Sequence, residues 1–293
     1  MEIIEANVLG FCMGVKNAIN KAQKALEEYK DKKVYTLGPL IHNSVVLENL
    51  TKNGLIILKE NEIDSVENKS VVVIRAHGVS PKVENQLKEK DCIIINATCP
   101  RVTLSQKQAQ KYSELGYIVV LAGDKDHGEV EGIAGFAGDN FRLIRNVEDA
   151  KAFKIDEVKS KSQKVVLLSQ STFSSKEFEE ITSILKDKIN DIEVLNTICP
   201  ATKERQDALE ELCPKVEGLL VIGGRNSANT QRLFKKAQSR VKIAALVERS
   251  QEIPEDFFKL NKIGITAGAS TPDEVIKECE NTLNNRNANL CKE

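Results

Sequence analysis

A chain of 293 residues with 41% hydrophobic and 29% charged side chains is too apolar for a disordered protein and long enough for two or three compact units. Its 42 basic and 43 acidic residues leave a formal net charge of -1, which excludes a nucleic-acid or anionic-membrane surface acting through bulk charge, so any anionic ligand has to be held locally. No apolar run reaches the roughly 20 residues of a transmembrane helix, and Met1 to Gly10 lacks the basic start and apolar centre of a signal peptide, which predicts a cytoplasmic protein with neither membrane nor nucleic-acid partner.

In chain order, Val8-Leu9-Gly10-Phe11-Cys12 leads into a helix whose apolar stripe is Val15, Ala18, Ile19, Ala22, Leu26 and Tyr29. A strand, Val34-Tyr35-Thr36-Leu37, ends at Gly38, 26 residues after Cys12, and opens the loop Gly38-Pro39-Leu40-Ile41-His42-Asn43. The strand from Val71 to Ile74 runs into Arg75-Ala76-His77-Gly78-Val79-Ser80-Pro81. Ile93-Ile94-Ile95-Asn96-Ala97-Thr98-Cys99-Pro100 then resembles Val194-Leu195-Asn196-Thr197-Ile198-Cys199-Pro200, and the two cysteines lie 100 residues apart. Each is followed by a helix and a strand, Val119 to Ala122 or Leu219 to Ile222, that reaches a glycine 24 residues on, Gly123 or Gly223. Val165 to Leu168 leads into Ser169-Gln170-Ser171-Thr172, and Ile263 to Ile265 into Thr266-Ala267-Gly268-Ala269-Ser270-Thr271-Pro272. Thr271-Pro272-Asp273-Glu274 supplies a cap, a proline at the first helical position and a glutamate at the third for the last helix.

Short, continuously apolar strands alternating with amphipathic helices predict an α/β protein whose mainly parallel sheets are covered on both faces, with ligand loops at the carboxyl ends of the strands. The expected architecture is three pseudo-repeated α/β units, and if they pack around a pseudo-threefold axis with the strand ends inward, their loops line one central cavity. Unit 1 spans 13–98, unit 2 spans 99–195, unit 3 combines 196–283 with 1–12, and 284–293 forms a frayed tail.

The loops carry the chemistry. Seven cysteines without any Cys-x-x-Cys argue for reduced thiols or metal ligation over a disulfide framework. A single cysteine is more often a small buried hydrophobe, but Cys12, Cys99 and Cys199 occupy equivalent strand-end loops in three repeats, which burial alone does not explain. Three convergent thiolates make a metal site. A histidine as fourth ligand would suit structural zinc, whereas an iron-sulfur cube with three thiolates would keep one iron open for substrate. Cys92, Cys213, Cys279 and Cys291 lack that equivalence and are expected in the core or the tail.

All three histidines, His42, His77 and His127, fall in the repeated loops. With Ser171, Thr172, Ser227, Asn229 and Ser270 they form a donor set suited to phosphate oxygens without a Lys/Arg cluster. Gly223-Gly224 is not followed by a dinucleotide fingerprint. Glu129, between His127 and Gly132, is placed to protonate a leaving hydroxyl, directly or through Ser171 or Thr172.

Gly10-Phe11-Cys12-Met13-Gly14-Val15, Leu37-Gly38-Pro39-Leu40-Ile41-His42-Asn43, Arg75-Ala76-His77-Gly78, Ala97-Thr98-Cys99-Pro100, His127-Gly128-Glu129-Val130-Glu131-Gly132, Thr197-Ile198-Cys199 and Thr266-Ala267-Gly268-Ala269-Ser270 resemble, in order and spacing, the motifs of a known family. These are the 4-hydroxy-3-methylbut-2-enyl diphosphate reductases, iron-sulfur enzymes of the non-mevalonate isoprenoid pathway. The likeness extends to about Leu283. It implies a trefoil of three α/β units around a central cluster cavity, with a [4Fe-4S] cluster on Cys12, Cys99 and Cys199 whose unique iron takes the substrate's hydroxyl group. Two electrons delivered singly, by a donor such as ferredoxin or flavodoxin, remove that group as water and yield isopentenyl and dimethylallyl diphosphate. The resemblance further implies that His42, His77, Ser227, Asn229 and Ser270 hold the diphosphate, while His127, Glu129 and Ser171 serve the proton and hydroxyl end.

Two positions depart from the family pattern: Ala228 stands where a second serine is common, and Ser171 where a threonine is expected. The rival activities are a quinolinate-synthase-like dehydratase, whose motifs do not match these histidine loops, and a non-enzymatic metal sensor, for which Glu129 would be surplus.

Overall fold

A computed structural model describes residues 1–154 and 164–290. In chain order the elements are β1 (Glu2–Glu5), α1 (Met13–Glu28), β2 (Val34–Leu37), α2 (Ser44–Lys52), β3 (Leu55–Leu58), β4 (Val71–Ile74), α3 (Pro81–Glu89), β5 (Ile93–Asn96), α4 (Pro100–Glu114), β6 (Ile118–Ala122), α5 (Gly128–Ala137), β7 (Phe141–Ile144), α6 (Val147–Ala152), β8 (Val165–Ser169), α7 (Ser175–Lys188), β9 (Ile192–Val194), α8 (Pro200–Leu212), β10 (Gly218–Ile222), α9 (Ala228–Gln238), β11 (Ile243–Val247), β12 (Lys262–Ala267) and α10 (Asp273–Leu290). None of the described helices is long and apolar enough to cross a membrane.

The strands form three four-stranded sheets, β3-β2-β4-β5, β7-β6-β8-β9 and β11-β10-β12-β1, and every pairing is parallel. The order is the same each time: second strand, first, third, fourth. In the last sheet the fourth strand is β1, so the N-terminus completes a sheet otherwise built from residues 218–267, with Glu2 in register with Lys262. Three parallel-sheet α/β units are thus present among the described residues.

Parallel strands need cover on both faces, and alternate residues go to opposite cores. From β6, Ile118, Val120 and Ala122 pack with Phe178, Ile181 and Leu185 of α7, while Val119 and Leu121 pack with Ala109 and Tyr112 of α4 and with Val130 and Ile133 of α5. β10 divides likewise: Leu220 and Ile222 meet Val275, Ile276 and Cys279 of α10, whereas Leu219 and Val221 meet Leu209 of α8 and Leu233 of α9.

The chain divides into two compact units: Met1–Lys16, Ile41–Lys52 and Pro200–Glu293 make one, and Asn17–Leu40 and Asn53–Cys199 the other. The first holds the β1 sheet; the second holds both remaining sheets. His42 and α2 belong with the first, although they follow β2 in sequence. Helix α10 begins at Asp273, one residue later than the capping pattern predicts: Val275 and Ile276 donate to the Pro272 carbonyl, and the Thr271 hydroxyl donates to the Ile222 carbonyl at 3.0 Å. The helix continues to Leu290, through most of the stretch expected to fray, and Cys291 lies outside the described residues.

Candidate functional site

The repeat is written into the backbone at each cysteine. Cys12, Cys99 and Cys199 directly precede α1, α4 and α8, and each follows the fourth strand of its sheet. Their N–H groups donate to Ala269, Ala76 and Ser171, in each case the carbonyl two residues beyond the end of the third strand, at 3.0, 2.9 and 2.8 Å. The glycine loops match too: Gly38, Gly123 and Gly223 donate to Leu58, Ile144 and Val247, the last residue of the second strand each time. The three thiol-bearing residues are half-buried. Cys213 and Cys279 are buried, and burial pushes the Cys279 thiol up to about 12, a poor ligand site and a good core one. Cys92 packs near the Ser70 hydroxyl at the edge of another core.

In the unit containing β1, the loops of His42, Ser227, Asn229 and Ser270 come together. The Ser270 hydroxyl donates to the His42 carbonyl at 2.9 Å. Any β-carbon at Gly224 would collide with that same oxygen, so glycine is what lets the β10 loop lie against the His42 backbone. Ser227 caps α9, accepting from the Thr230 N–H at 3.4 Å, which leaves its own hydrogen to donate. Asn229 is 3% exposed, and neither atom of its amide has a partner among the described residues. A buried orphan donor is costly unless something completes it, and for the Asn229 Nδ2, at a helix N-terminus with serine hydroxyls, the fitting completion is a multiply charged oxyanion. Ala228 contributes no hydroxyl, but as the first residue of α9 it contributes an N–H.

In the other unit the structure joins Glu129 to Ser171. Glu129 is 1% exposed; its Oε1 accepts from the Ser171 N–H and its Oε2 from the Ser171 hydroxyl, both at 2.7 Å. Ser171 also offers its carbonyl to Cys199, so one residue touches both the acid and a thiol-bearing residue. His127 caps α5: its Nδ1 accepts from the Glu129 N–H at 3.2 Å, which in the neutral ring places the proton on Nε2. The His77 ring meets the His127 ring edge-on at 5.0 Å. Thr172, the alternative hydroxyl relay, is engaged elsewhere: its Oγ1 accepts from the Gln170 amide at 3.0 Å, so the hydroxyl on Glu129 belongs to Ser171.

Two residues inside the quoted motifs, to which the sequence assigns no role, carry structural weight at these loops. Gln170 is fully buried, and its Oε1 accepts from the Asp124 N–H at 2.8 Å, tying the loop after β8 to the loop that carries His127. Arg75 is buried directly after β4; its Nε donates to the Gly78 carbonyl at 3.1 Å and its Nη2 to Glu60 at 2.6 Å, with Glu131 of α5 at 3.7 Å. Gly38, at φ +78°, has the guanidinium where a β-carbon would stand. Arg75 thereby fixes the His77 loop against the helix that carries Glu129. Burial pushes the Glu60 carboxyl above the usual carboxylate range, Arg75 draws it back, and Glu131 pushes it further up. Arg75→Met is expected to destabilise the fold by about 3 kcal/mol, the low end for breaking a buried pair because Glu60 keeps some surface in water; denaturant unfolding of the variant measures it.

The chain is 45% identical over 287 residues to the 4-hydroxy-3-methylbut-2-enyl diphosphate reductase of Treponema denticola, covering 97% of this chain and 99% of that protein. It is 40% identical over 279 residues to the reductase of the same name from Caldanaerobacter subterraneus, covering 95% of each. Among solved structures, the E-1-hydroxy-2-methyl-but-2-enyl-4-diphosphate reductase of Plasmodium falciparum superposes with a TM-score of 0.90 at 30% identity over 96% of this chain and 87% of that one. A second reductase structure, described as the terminal enzyme of the non-mevalonate pathway, gives 0.70 at 33% identity over 97% of this chain and 100% of that one. Residues 3–284 match the family described as LytB protein, and with its three like sheets and three equivalent cysteines the chain belongs to that family.

Proposed function

We propose that this protein is a 4-hydroxy-3-methylbut-2-enyl diphosphate reductase, which removes the hydroxyl group of that allylic diphosphate as water and yields isopentenyl and dimethylallyl diphosphate. The observation that carries the proposal is the threefold placement of Cys12, Cys99 and Cys199, each before a helix and each bonded to the same position of a neighbouring loop. The activity named for relatives at up to 45% identity supports it.

Half-buried thiols at helix N-terminal ends, where negative charge is favoured, suit a group held by three thiolates, and we assign them to a [4Fe-4S] cluster. When bound, such a cluster supplies a Lewis-acidic iron with an open position and passes electrons singly. The remaining work falls to the chain's own side chains. Ser227, Asn229, Ser270, His42 and His77 are the side chains assigned to hold the diphosphate by hydrogen bonds. Glu129 supplies the proton that lets the hydroxyl leave as water, and Ser171 can relay it: once Glu129 is protonated it donates to the Ser171 oxygen, whose own hydrogen turns outward. His127 orients this end through its Nε2 proton. One-electron delivery calls for a carrier protein such as ferredoxin or flavodoxin.

Anaerobic purification with iron and sulfide analysis, followed by turnover of the allylic diphosphate with an artificial reductant, tests the assignment. Four irons and four sulfides with product formation are expected; one zinc and no turnover would reject it. His42→Ala and His77→Ala are each expected to weaken substrate binding by one to two decades with an unchanged cluster spectrum, since a charge-assisted hydrogen bond to phosphate contributes about 1.5 to 3 kcal/mol. Ser270 and Gly224 engage the His42 backbone, so alanine at 42 preserves the loop. Binding as tight as wild type would make the imidazole concerned structural.

A further inference from the structure

Among the described residues only three large hydrophobic side chains are exposed, and two of them, Leu104 at 47% and Leu115 at 62%, belong to α4 and its C-terminal cap. They share a face. Arg101, Leu104, Lys107, Lys111 and Leu115 follow one another at intervals of three and four, which places them along one side of the helix, and all five are exposed. None of the three cations makes an ion pair with a described residue; Lys111 lies over the ring of Tyr112. The first turn of α4 has no acid, and the helix's one acid, Glu114, accepts from Gln110 at 2.9 Å. Lys21 adds a fourth cation beside the start of the helix, donating to the Asn96 carbonyl at 2.7 Å. In a chain with a net charge of -1, a strip of this sign with two bare leucines is a local feature.

We propose that this face of α4 is the docking surface for a small acidic one-electron carrier protein, an inference that rests on the reductase assignment above. Cations around exposed leucines match a partner with an acidic rim and an apolar centre over its redox group, because complementary charge steers the encounter and apolar contact holds it. The strip also begins where an electron has to arrive. Cys99 caps α4, and Leu104 is five residues on, about 7.5 Å along the helix at 1.5 Å per residue. Each docking passes one electron from the reduced carrier, which leaves oxidised. Two such transfers with two protons convert the allylic alcohol into the alkene product and water.

The test combines Arg101→Glu, Lys107→Glu and Lys111→Glu in the cluster-loaded full chain, with Lys176→Glu/Lys186→Glu on α7 as the control. Turnover is driven either by reduced flavodoxin or by a reduced viologen, and flavodoxin binding is measured directly alongside. The triple variant is expected to lose at least about tenfold in rate at low flavodoxin concentration and most of its ionic-strength dependence, with viologen-driven turnover unchanged. Leu104→Asn should weaken flavodoxin binding without altering the salt dependence. Equal flavodoxin binding by the triple variant and wild type, or an equal loss in the α7 control, overturns the proposal. A concentration-dependent dimer that the triple variant abolishes while flavodoxin kinetics stay intact overturns it in favour of self-association. Wild-type protein inactive with the viologen overturns the reductase assignment itself.

Discussion

Replacing Glu129 by glutamine is expected to lower turnover by about 10²-fold or more, the usual scale for a positioned acid, while substrate binding and the cluster spectrum stay near wild type. Glutamine keeps the shape of the side chain. Its Oε1 can still accept from the Ser171 N–H, so the loop after β8 stays where the carboxylate holds it at 2.7 Å. What disappears is the proton, and with it the second acceptor for the Ser171 hydroxyl. Ser171→Ala separates acid from relay: a loss close to that of Glu129→Gln means the proton travels through the hydroxyl, and a small loss means Glu129 delivers it directly. The same exchange at Glu131, which is half-exposed and 3.7 Å from Arg75, should change turnover little. Anaerobic assays with an artificial reductant decide the matter, and near-wild-type turnover of Glu129→Gln would remove it from the chemistry.

Serine at position 12, 99 or 199 is expected to abolish activity and strip or destabilise the cluster proposed above, because each position is assigned one of its three thiolate ligands and a hydroxyl is a poor substitute for a soft ligand. Serine keeps the backbone N–H of each position, and therefore the bond to Ala269, Ala76 or Ser171, so the apo fold should survive. Cys92, Cys213 and Cys279 should tolerate replacement as far as the cluster is concerned. Iron and sulfide content with the visible spectrum reads the result. Iron retained in Cys12→Ser but lost in Cys213→Ser would refute the equivalence drawn from the repeat.

The three cysteines were legible in the chain because a 100-residue offset aligns Cys99 with Cys199 and a looser match adds Cys12, and the fold keeps that equivalence down to single hydrogen bonds. Glu129 and its serine were legible for the same reason: each closely follows a strand end of one repeat, Glu129 in the first turn of α5 and Ser171 in the loop after β8. Arg75 and Gln170 were not, since their importance lies in what they reach across space, and a charged or amide side chain after an apolar run carries no local mark of its target. The choice between Ser171 and Thr172 needed the position of the Gln170 amide. The allegiance of Ile41–Lys52 to the β1 unit was equally hidden, because a helix after a strand reads the same whichever sheet it packs on.

The parallel pairing of β1 with β12 has a consequence for how the protein is made. Glu2 leaves the ribosome first among the paired residues and waits for Lys262 before its strand has a neighbour, and the Cys12 loop waits for Ala269. Both other sheets are complete by Val194, so most of the chain can fold during synthesis while its first strand stays an open edge exposed to chaperones and to wrong partners. Translation must therefore pass Ala269 before all three thiol loops reach their final form. The cluster proposed above could then be loaded in full only after β12 and Ala269 have emerged, and a chain truncated before β12 would offer the assembly machinery the loops of Cys99 and Cys199 alone.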